Sequence, residues 1–83
     1  MNAQYVTQTQ LGRRVGASSI KVGNVLKEWN YRLPNGEPSS LAWAEGLVEE
    51  RRLEDRPHIP FWVWDEERIM GILQVSGLEE VSA

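Results

Sequence analysis

Apolar residues near the N-terminus recur at the spacing of an α-helix. Leu11 and Val15 lie four residues apart, which places both on one helical face. Thr7 and Gln10 precede them in the arrangement of a capping box, which predicts that the helix begins at Thr7 or two residues later. Gly16 follows directly and predicts its end, because glycine readily takes the left-handed conformation that closes a helix.

A second helix is predicted after a short turn. Either Ser18 or Ser19 can cap its N-terminus, and the helix is expected to stop at Asn30. Its apolar positions follow at intervals of 3, 1 and 3 residues, at Val22, Val25, Leu26 and Trp29. The pattern therefore predicts two consecutive helices within 7–29.

The middle of the chain contains residues that interrupt regular structure. Two prolines and a glycine make 34–38 a turn or loop, and 31–33 before it has room only for a short strand. Ser39 or Ser40 is then predicted to cap a third helix over roughly 41–53. The inward positions of that helix are Leu41, Ala44, Leu47 and Val48.

The C-terminal part is predicted to hold the main strand and a fourth helix. Two prolines predict a loop over 55–60, and the aromatic and β-branched residues of 61–64 favour a strand. Three carboxylates at 65–67 suit the positive end of a helix dipole, and Gly77 is expected to end that helix. Its inner face carries Ile69, Ile72 and Leu73.

These elements predict one small domain spanning 1–83, because 83 residues leave room for a single modest core. The expected fold is mostly α with a minor β ribbon (α+β), with four helices and a two-stranded antiparallel ribbon formed by 31–33 and 61–64. The expected divisions are a loose N-terminus at 1–6, the helical pair at 7–29, strand, helix and strand at 31–64, a C-terminal helix at 65–77 and a frayed tail at 78–83.

The composition argues against several classes of function. The chain has no cysteine, which rules out disulfides, cysteine-based zinc sites and thiol catalysis, and favours a cytoplasmic protein. No apolar run approaches the ~18–20 residues of a membrane span, and the first residues lack the order of a signal peptide. His58 has no partner at the spacing of a metal site or a catalytic triad. We therefore expect no enzyme activity, cofactor, metal or membrane association.

The charges are divided unevenly along the chain. Five cations stand against the single carboxylate Glu28 in residues 1–34, a net charge of +4. Four arginines stand against eleven carboxylates in 35–83, a net charge of −7. Such an asymmetry indicates a polyanion-facing surface on the basic side, although two solvated faces would give the same count.

The segment 8–27 has the residue types that two helices need when they meet across a tight turn. Its facing positions are apolar, a glycine stands where the helices approach, and another glycine stands at the turn. Those positions are Leu11, Gly12, Val15, Gly16, Ala17, Val22 and Val25. This segment, about 20 of 83 residues, resembles the helix-turn-helix of bacterial and phage DNA-binding proteins.

The later chain is similar to small winged-helix domains and to the compact DNA-binding domains of phage antirepressor-type proteins. It has a short strand, Asn35-Gly36, the helix-opening run 38–40 and an aromatic strand, in that order. The segment 34–38 departs from a basic wing tip, because Glu37 is its one charged residue.

The resemblance implies a transcriptional regulator that binds double-stranded DNA, with 18–27 as the recognition helix in the major groove. It implies base contacts from Ser18, Ser19, Lys21 and Asn24, and phosphate contacts from Arg13, Arg14, Lys27 and Arg32. So few cations imply weak binding by a monomer, and hence a homodimer or a protein partner on the acidic half.

A second interpretation keeps the fold without the nucleic acid. The chain would then be a protein–protein adaptor that uses the acidic helix 41–53 and the aromatic strand around Trp62 and Trp64. Packing into the core is the favoured role for these two tryptophans. The alternative is an exposed platform on which bases stack or a partner docks.

Overall fold

The computed structural model describes residues 4–81. Within that range the chain forms four α-helices and a three-stranded antiparallel sheet. The elements are β1 (Tyr5–Val6), α1 (Gln8–Val15), α2 (Ser19–Glu28), α3 (Ser40–Ala44), β2 (Val48–Leu53), β3 (Arg56–Asp65) and α4 (Glu66–Val75). The mixed α+β prediction with four helices is confirmed. The two-stranded ribbon is wrong, because the sheet has three strands in the order β1-β3-β2.

The first two helices begin and end as the sequence predicts. The Thr7 side chain accepts from the Gln10 backbone N–H, and the Gln10 side chain accepts from the Thr7 N–H at 2.9 Å. Gly16 closes α1 in the left-handed conformation, with φ 65°. Ser18 caps α2, and Asn30 just beyond it has φ 64°, which ends the helical path.

The predicted helix over 41–53 is wrong. Helix α3 ends at Ala44, where Gly46 adopts φ 68° and the Leu47 N–H turns back to the Ala42 carbonyl at 3.0 Å. The chain then leaves as β2. Apolar residues at the start of this strand fit a helical stripe and a strand equally well, so the glycine and the pairing with β3 decide the outcome.

The loop predicted over 55–60 is also wrong, because β3 runs from Arg56 to Asp65 and includes both prolines. Strand β1 pairs only with Trp64 and Asp65, so the rest of that edge of β3 is open. Proline is tolerated along an open edge because no ladder hydrogen bond is lost there. The predicted pairing of 31–33 with 61–64 is wrong as well: Arg32 instead forms an isolated bridge with Pro38.

Both chain ends are more ordered than predicted. Tyr5 and Val6 form β1, and the Val81 N–H donates to the Arg14 carbonyl at 2.8 Å. Leu78 packs against the core. The loose N-terminus and frayed tail are therefore wrong for the described ends, and residues 1–3 and 82–83 lie outside the described residues.

The core lies between the helices and one face of the sheet. Trp64 is fully buried, and Trp62 on the same face is half-buried and meets Trp43 edge-on at a centroid distance of 6.0 Å. The prediction that the aromatic strand packs into the core is confirmed for Trp64. The other fully buried large side chains are Leu11, Val22, Leu26, Leu47, Ile69 and Leu73. None of the helices in 4–81 has the length and apolar character to cross a membrane.

Candidate nucleic-acid interface

Helices α1 and α2 are joined by a turn of three residues, 16–18. A Cβ added at Gly12 would lie 2.5 Å from the Ala17 carbonyl oxygen, so the turn passes too close for any side chain. The close approach predicted at Gly12 is confirmed, and its neighbour is the backbone of the turn. The predicted facing positions are all buried, at Leu11, Val15, Val22 and Val25. The pair is therefore a rigid unit held by packing and by a glycine at its tightest point.

The outer side of α2 carries an exposed ridge. Ile20 and Asn24 lie one turn apart, and both border the depressions on either side of them. Ile20 is 75% exposed, among the most exposed of the large apolar residues in 4–81. We call these two residues the α2 ridge. It offers a methyl-bearing side chain and an amide to whatever approaches the helix.

One depression beside the ridge is a cleft of about 280 Å³ between the start of α1, helix α2 and Arg32. We call it the Arg32 cleft. It is lined by Gln8, Ser19, Ile20, Asn24, Lys27 and Arg32. All of these except Ile20 carry hydrogen-bond donors, and no carboxylate lines it within the described chain. The cleft is thus suited to an anion.

The Arg32 side chain occupies space that two glycines leave open. Its Nη1 lies 3.1 Å from the position of a Cβ added at Gly23, and its Nη2 lies 3.1 Å from that of a Cβ at Gly36. The two glycines therefore make the space that the guanidinium occupies. Its Nε is buried without a hydrogen-bond partner in the described structure. A buried guanidinium nitrogen without a hydrogen-bond partner is unusual, because buried polar groups are normally paired.

Gln8 closes the cleft from the side of α1. Its Nε2 donates to the Ser19 carbonyl at 3.0 Å, which ties the two helices together at this end. The same nitrogen lies 3.0 Å from the position of a Cβ at Gly23, so it stands close to the Arg32 guanidinium. An amide nitrogen carries two hydrogens, and only one is used in this bond.

The serines predicted to contact bases have structural roles in the free protein. The Ser18 side chain accepts from the Lys21 N–H at 3.2 Å as the cap of α2. Ser19 lines the Arg32 cleft, whereas Ser18 and Lys21 line a groove of about 390 Å³ on the other side of the ridge. Their base contacts stay predictions.

Arg13 and Arg14 lie apart from the Arg32 cleft, in a depression beside α4. Arg14 pairs with Glu80 and with Glu66, the latter at 2.7 Å, and the hydrogen bonds that its guanidinium donates to these two carboxylates raise its pKa. Arg13 is exposed. The structure thus gives Arg14 two carboxylate partners, and its phosphate contact stays a prediction.

Within the described structure, most of the cations in residues 35–83 form ion pairs, whereas most of those in residues 1–34 do not. Arg51 pairs with Glu49 at 2.8 Å, Arg52 with Glu50 at 3.3 Å, and Arg68 lies 3.6 Å from a carboxylate on the C-cap of α3. The cations without an ion pair among residues 4–81 are Arg13, Lys21, Lys27, Arg32 and Arg56. Four of these five lie between residues 13 and 32, and three of the four border the α2 ridge or its clefts.

Sequence reasoning missed several residues of this surface. Ile20 lies outside the apolar stripe of α2, and this position in the helical pattern could have predicted that its side chain is exposed. Gly23 stands inside a helix, where an unexplained glycine suggests a close approach. Gln8 and Gly36 gave no comparable signal, because their roles depend on where the Arg32 side chain folds.

No group of three or more histidines, cysteines or carboxylates in the described part of the chain is arranged to hold a metal. His58 lies on the exposed part of β3. Comparisons with protein-family models, with curated proteins and with solved structures gave no match to this chain.

Proposed function

We propose that this protein binds double-stranded DNA with α1 and α2 as a helix-turn-helix, and that it serves as a transcriptional regulator. The observation that carries the proposal is the concentration of unpaired cations around α2. A cation that already faces a carboxylate gains little from a phosphate, whereas an unpaired one releases counterions from DNA when it binds. In the described structure Lys21, Lys27 and Arg32 are such cations, on either side of the α2 ridge.

In this proposal, the α2 ridge enters the major groove. An α-helix fits into that groove, and the phosphate backbones then run along both of its sides. We expect Asn24 to bond the edge of an adenine and Ile20 to touch the methyl group of a thymine. The cations in the depressions beside the ridge, Lys21 on one side and Lys27 with Arg32 on the other, face the two backbones.

If the fold serves as a winged helix, the hairpin of β2 and β3 is the part that would act as the wing. The segment 34–38, which the sequence suggested for that role, is a turn bridged by Arg32 and Pro38. Two of the hairpin arginines, Arg51 and Arg52, pair with glutamates on their own strand. The proposal therefore gives the wing a minor share of the DNA affinity.

The adaptor interpretation loses one of its two features entirely and part of the other. The acidic helix 41–53 does not form, and Trp64 is fully buried. The residues that could still serve as an adaptor surface are the half-buried Trp62, the exposed Trp43 and those of the hairpin.

The test compares two double variants with the same loss of charge. Lys21→Gln with Lys27→Gln removes two unpaired cations near the ridge, and Arg51→Gln with Arg52→Gln removes two paired ones from the hairpin. Affinity is measured by fluorescence anisotropy on a duplex of about 15 base pairs at about 50 and 200 mM salt.

We expect the ridge variant to lose about 10- to 100-fold in affinity at the lower salt and its salt slope to fall by about two. The hairpin variant should lose less than about threefold, because its arginines are already compensated. Equal losses in both variants would show that only the total charge matters, and a larger loss in the hairpin variant would move the interface to the sheet.

A further inference from the structure

We propose that the Arg32 cleft is a built site for one phosphate group, which is held by Arg32, Lys27 and Gln8. The inference rests on the proposed function for the source of that phosphate, a DNA phosphodiester beside the groove that α2 enters. The recognised chemistry is a tetrahedral oxyanion, so a free phosphate ion would share it. The experiment below distinguishes the two sources.

The first argument is the unused donors of Arg32. Its Nε is buried without a partner, and its guanidinium makes no hydrogen bond or ion pair with residues 4–81. Leaving a buried charged donor unpaired is costly, because water has been removed and nothing replaces it. A phosphate in the cleft would supply an acceptor for the Nη N–H groups, and its oxygens suit the fork geometry of a guanidinium.

The second argument is the pair of glycines that hold the guanidinium. Gly23 lies inside α2, where glycine weakens a helix through its backbone entropy. A Cβ there would approach Arg32 Nη1 to 3.1 Å and Gln8 Nε2 to 3.0 Å, and a Cβ at Gly36 would approach Arg32 Nη2 to 3.1 Å. A side chain at position 23 would therefore press on two donors of the cleft, each of which would have to shift by a few tenths of an ångström.

The third argument is the charge and position of the cleft. Lys27 brings a second cation without an ion pair in the described chain, and no carboxylate among residues 4–81 lines the cleft. Ile20 and Asn24, the α2 ridge, form one of its walls. A phosphate bound there would therefore lie directly beside the residues placed to read bases, and would fix the register of the helix on the duplex.

The experiment scans one duplex with neutral phosphates. A site of about 15 base pairs is selected from random DNA by the wild-type protein, and each phosphate is replaced in turn by a methylphosphonate. The wild type is compared with Arg32→Lys, which keeps the charge and loses the fork, and with Gly23→Ala. Gly71→Ala is the matched control, because a Cβ at this exposed helical glycine meets nothing within 4 Å.

We expect one methylphosphonate position per bound chain to weaken the wild type by about tenfold. Arg32→Lys and Gly23→Ala should bind the unmodified site about tenfold more weakly and be insensitive to that one position, whereas Gly71→Ala behaves as wild type. If both cleft variants bind like the wild type and keep every sensitivity, the phosphate site is refuted while the DNA-binding proposal stands.

A second arm uses inorganic phosphate alone, with the Arg32 Nε–H followed by NMR. If no duplex is selected but phosphate shifts this signal in the wild type and not in Gly23→Ala, the site is supported with free phosphate as its ligand, and the DNA-binding proposal fails. If phosphate leaves the signal unchanged and no duplex binds, both proposals are overturned.

Discussion

The helical pair α1–α2 and the β2–β3 hairpin both carry arginine or lysine on exposed surfaces. They differ in how many of these cations have an ion-pair partner. Around α2, Lys21, Lys27 and Arg32 have no ion-pair partner within the described residues. On the hairpin, Arg51 and Arg52 each face a glutamate two residues earlier on the same strand. The hairpin thus pairs two of its three arginines, whereas the three cations around α2 have no ion pair among the described residues.

The difference teaches that net charge is a poor guide to which surface carries cations without an ion pair. The chain has a formal charge of −3, which alone argues against a nucleic-acid partner. In a strand, residues i and i+2 share a face, so the run Glu49-Glu50-Arg51-Arg52 places one arginine beside one glutamate on each face. The quantity that matters is the number of cations without a carboxylate in reach.

The largest effect is expected at the base of the hairpin, where it joins the core. Trp64→Ala removes a fully buried ring and should cost about 3–5 kcal/mol, enough to unfold a domain of this size. Urea unfolding followed by circular dichroism measures this loss.

Two variants serve as controls for that position. Trp64→Phe should cost much less, because the ring Nε1 has no hydrogen-bond partner in the described structure. Ile59→Ala, on the exposed part of β3, should change the stability by less than about 0.5 kcal/mol. A folded and fully stable Trp64→Ala would mean that the hairpin is not anchored as described.

The tightest point of the helical pair should give the next largest effect. Gly12→Ala forces a Cβ to within 2.5 Å of the Ala17 carbonyl oxygen, and we expect a loss of about 1–3 kcal/mol from overpacking. Gly71→Ala in α4 should have the opposite sign, with a gain of about 0.5–1 kcal/mol, because its Cβ meets no atom within 4 Å. Thermal unfolding of the two proteins side by side checks both signs, and a harmless Gly12→Ala would contradict the close approach.

Freeing the hairpin arginines should reduce the contrast between the two regions. Glu49→Gln with Glu50→Gln leaves Arg51 and Arg52 without their carboxylates, so the hairpin should begin to contribute to DNA affinity. We expect about a two- to fivefold gain at low salt, measured by anisotropy, since exposed ion pairs are individually weak. Glu79→Gln with Glu67→Gln, on exposed residues with no ion pair in the described chain, removes the same charge and should give a smaller gain. Equal gains would mean that the pairing is irrelevant.

The smallest effect is expected at Ile20, and it separates stability from recognition. Ile20→Ala should change the stability by less than about 0.5 kcal/mol, because the side chain is 75% exposed. On DNA, replacing thymine by deoxyuridine in the selected site should weaken the wild type by about two- to fivefold and leave Ile20→Ala unaffected. The thymine contact is wrong if both proteins respond equally to the missing methyl group.

Local signals in the sequence were sufficient for the parts of the fold that depend on helix caps. Thr7 with Gln10, Gly16 and Ser18 marked the ends of α1 and α2 correctly, because capping is a contact between near neighbours. The aromatic and β-branched residues of 61–64 and the carboxylates of 65–67 are also local signals, and they correctly predicted the end of β3 and the start of α4.

The rest of the fold depends on contacts between distant residues. Val48 starts a strand because β3 lies beside it. Pro57 is tolerated because it lies where the register with β2 shifts and beyond the reach of β1. The place of Arg32 between Gly23 and Gly36 likewise joins residues that no local pattern connects. The sequence could nominate Arg32 and Lys27 as phosphate contacts, but not the cleft that holds them.

The most direct test of the central claim is an amide chemical-shift titration with a duplex of about 15 base pairs, at about 50 mM and then 200 mM salt. The account predicts shifts concentrated in residues 18–32, fading at the higher salt, with 49–61 of the hairpin nearly unchanged. Shifts confined to the hairpin, or no shifts at the lower salt, would contradict it.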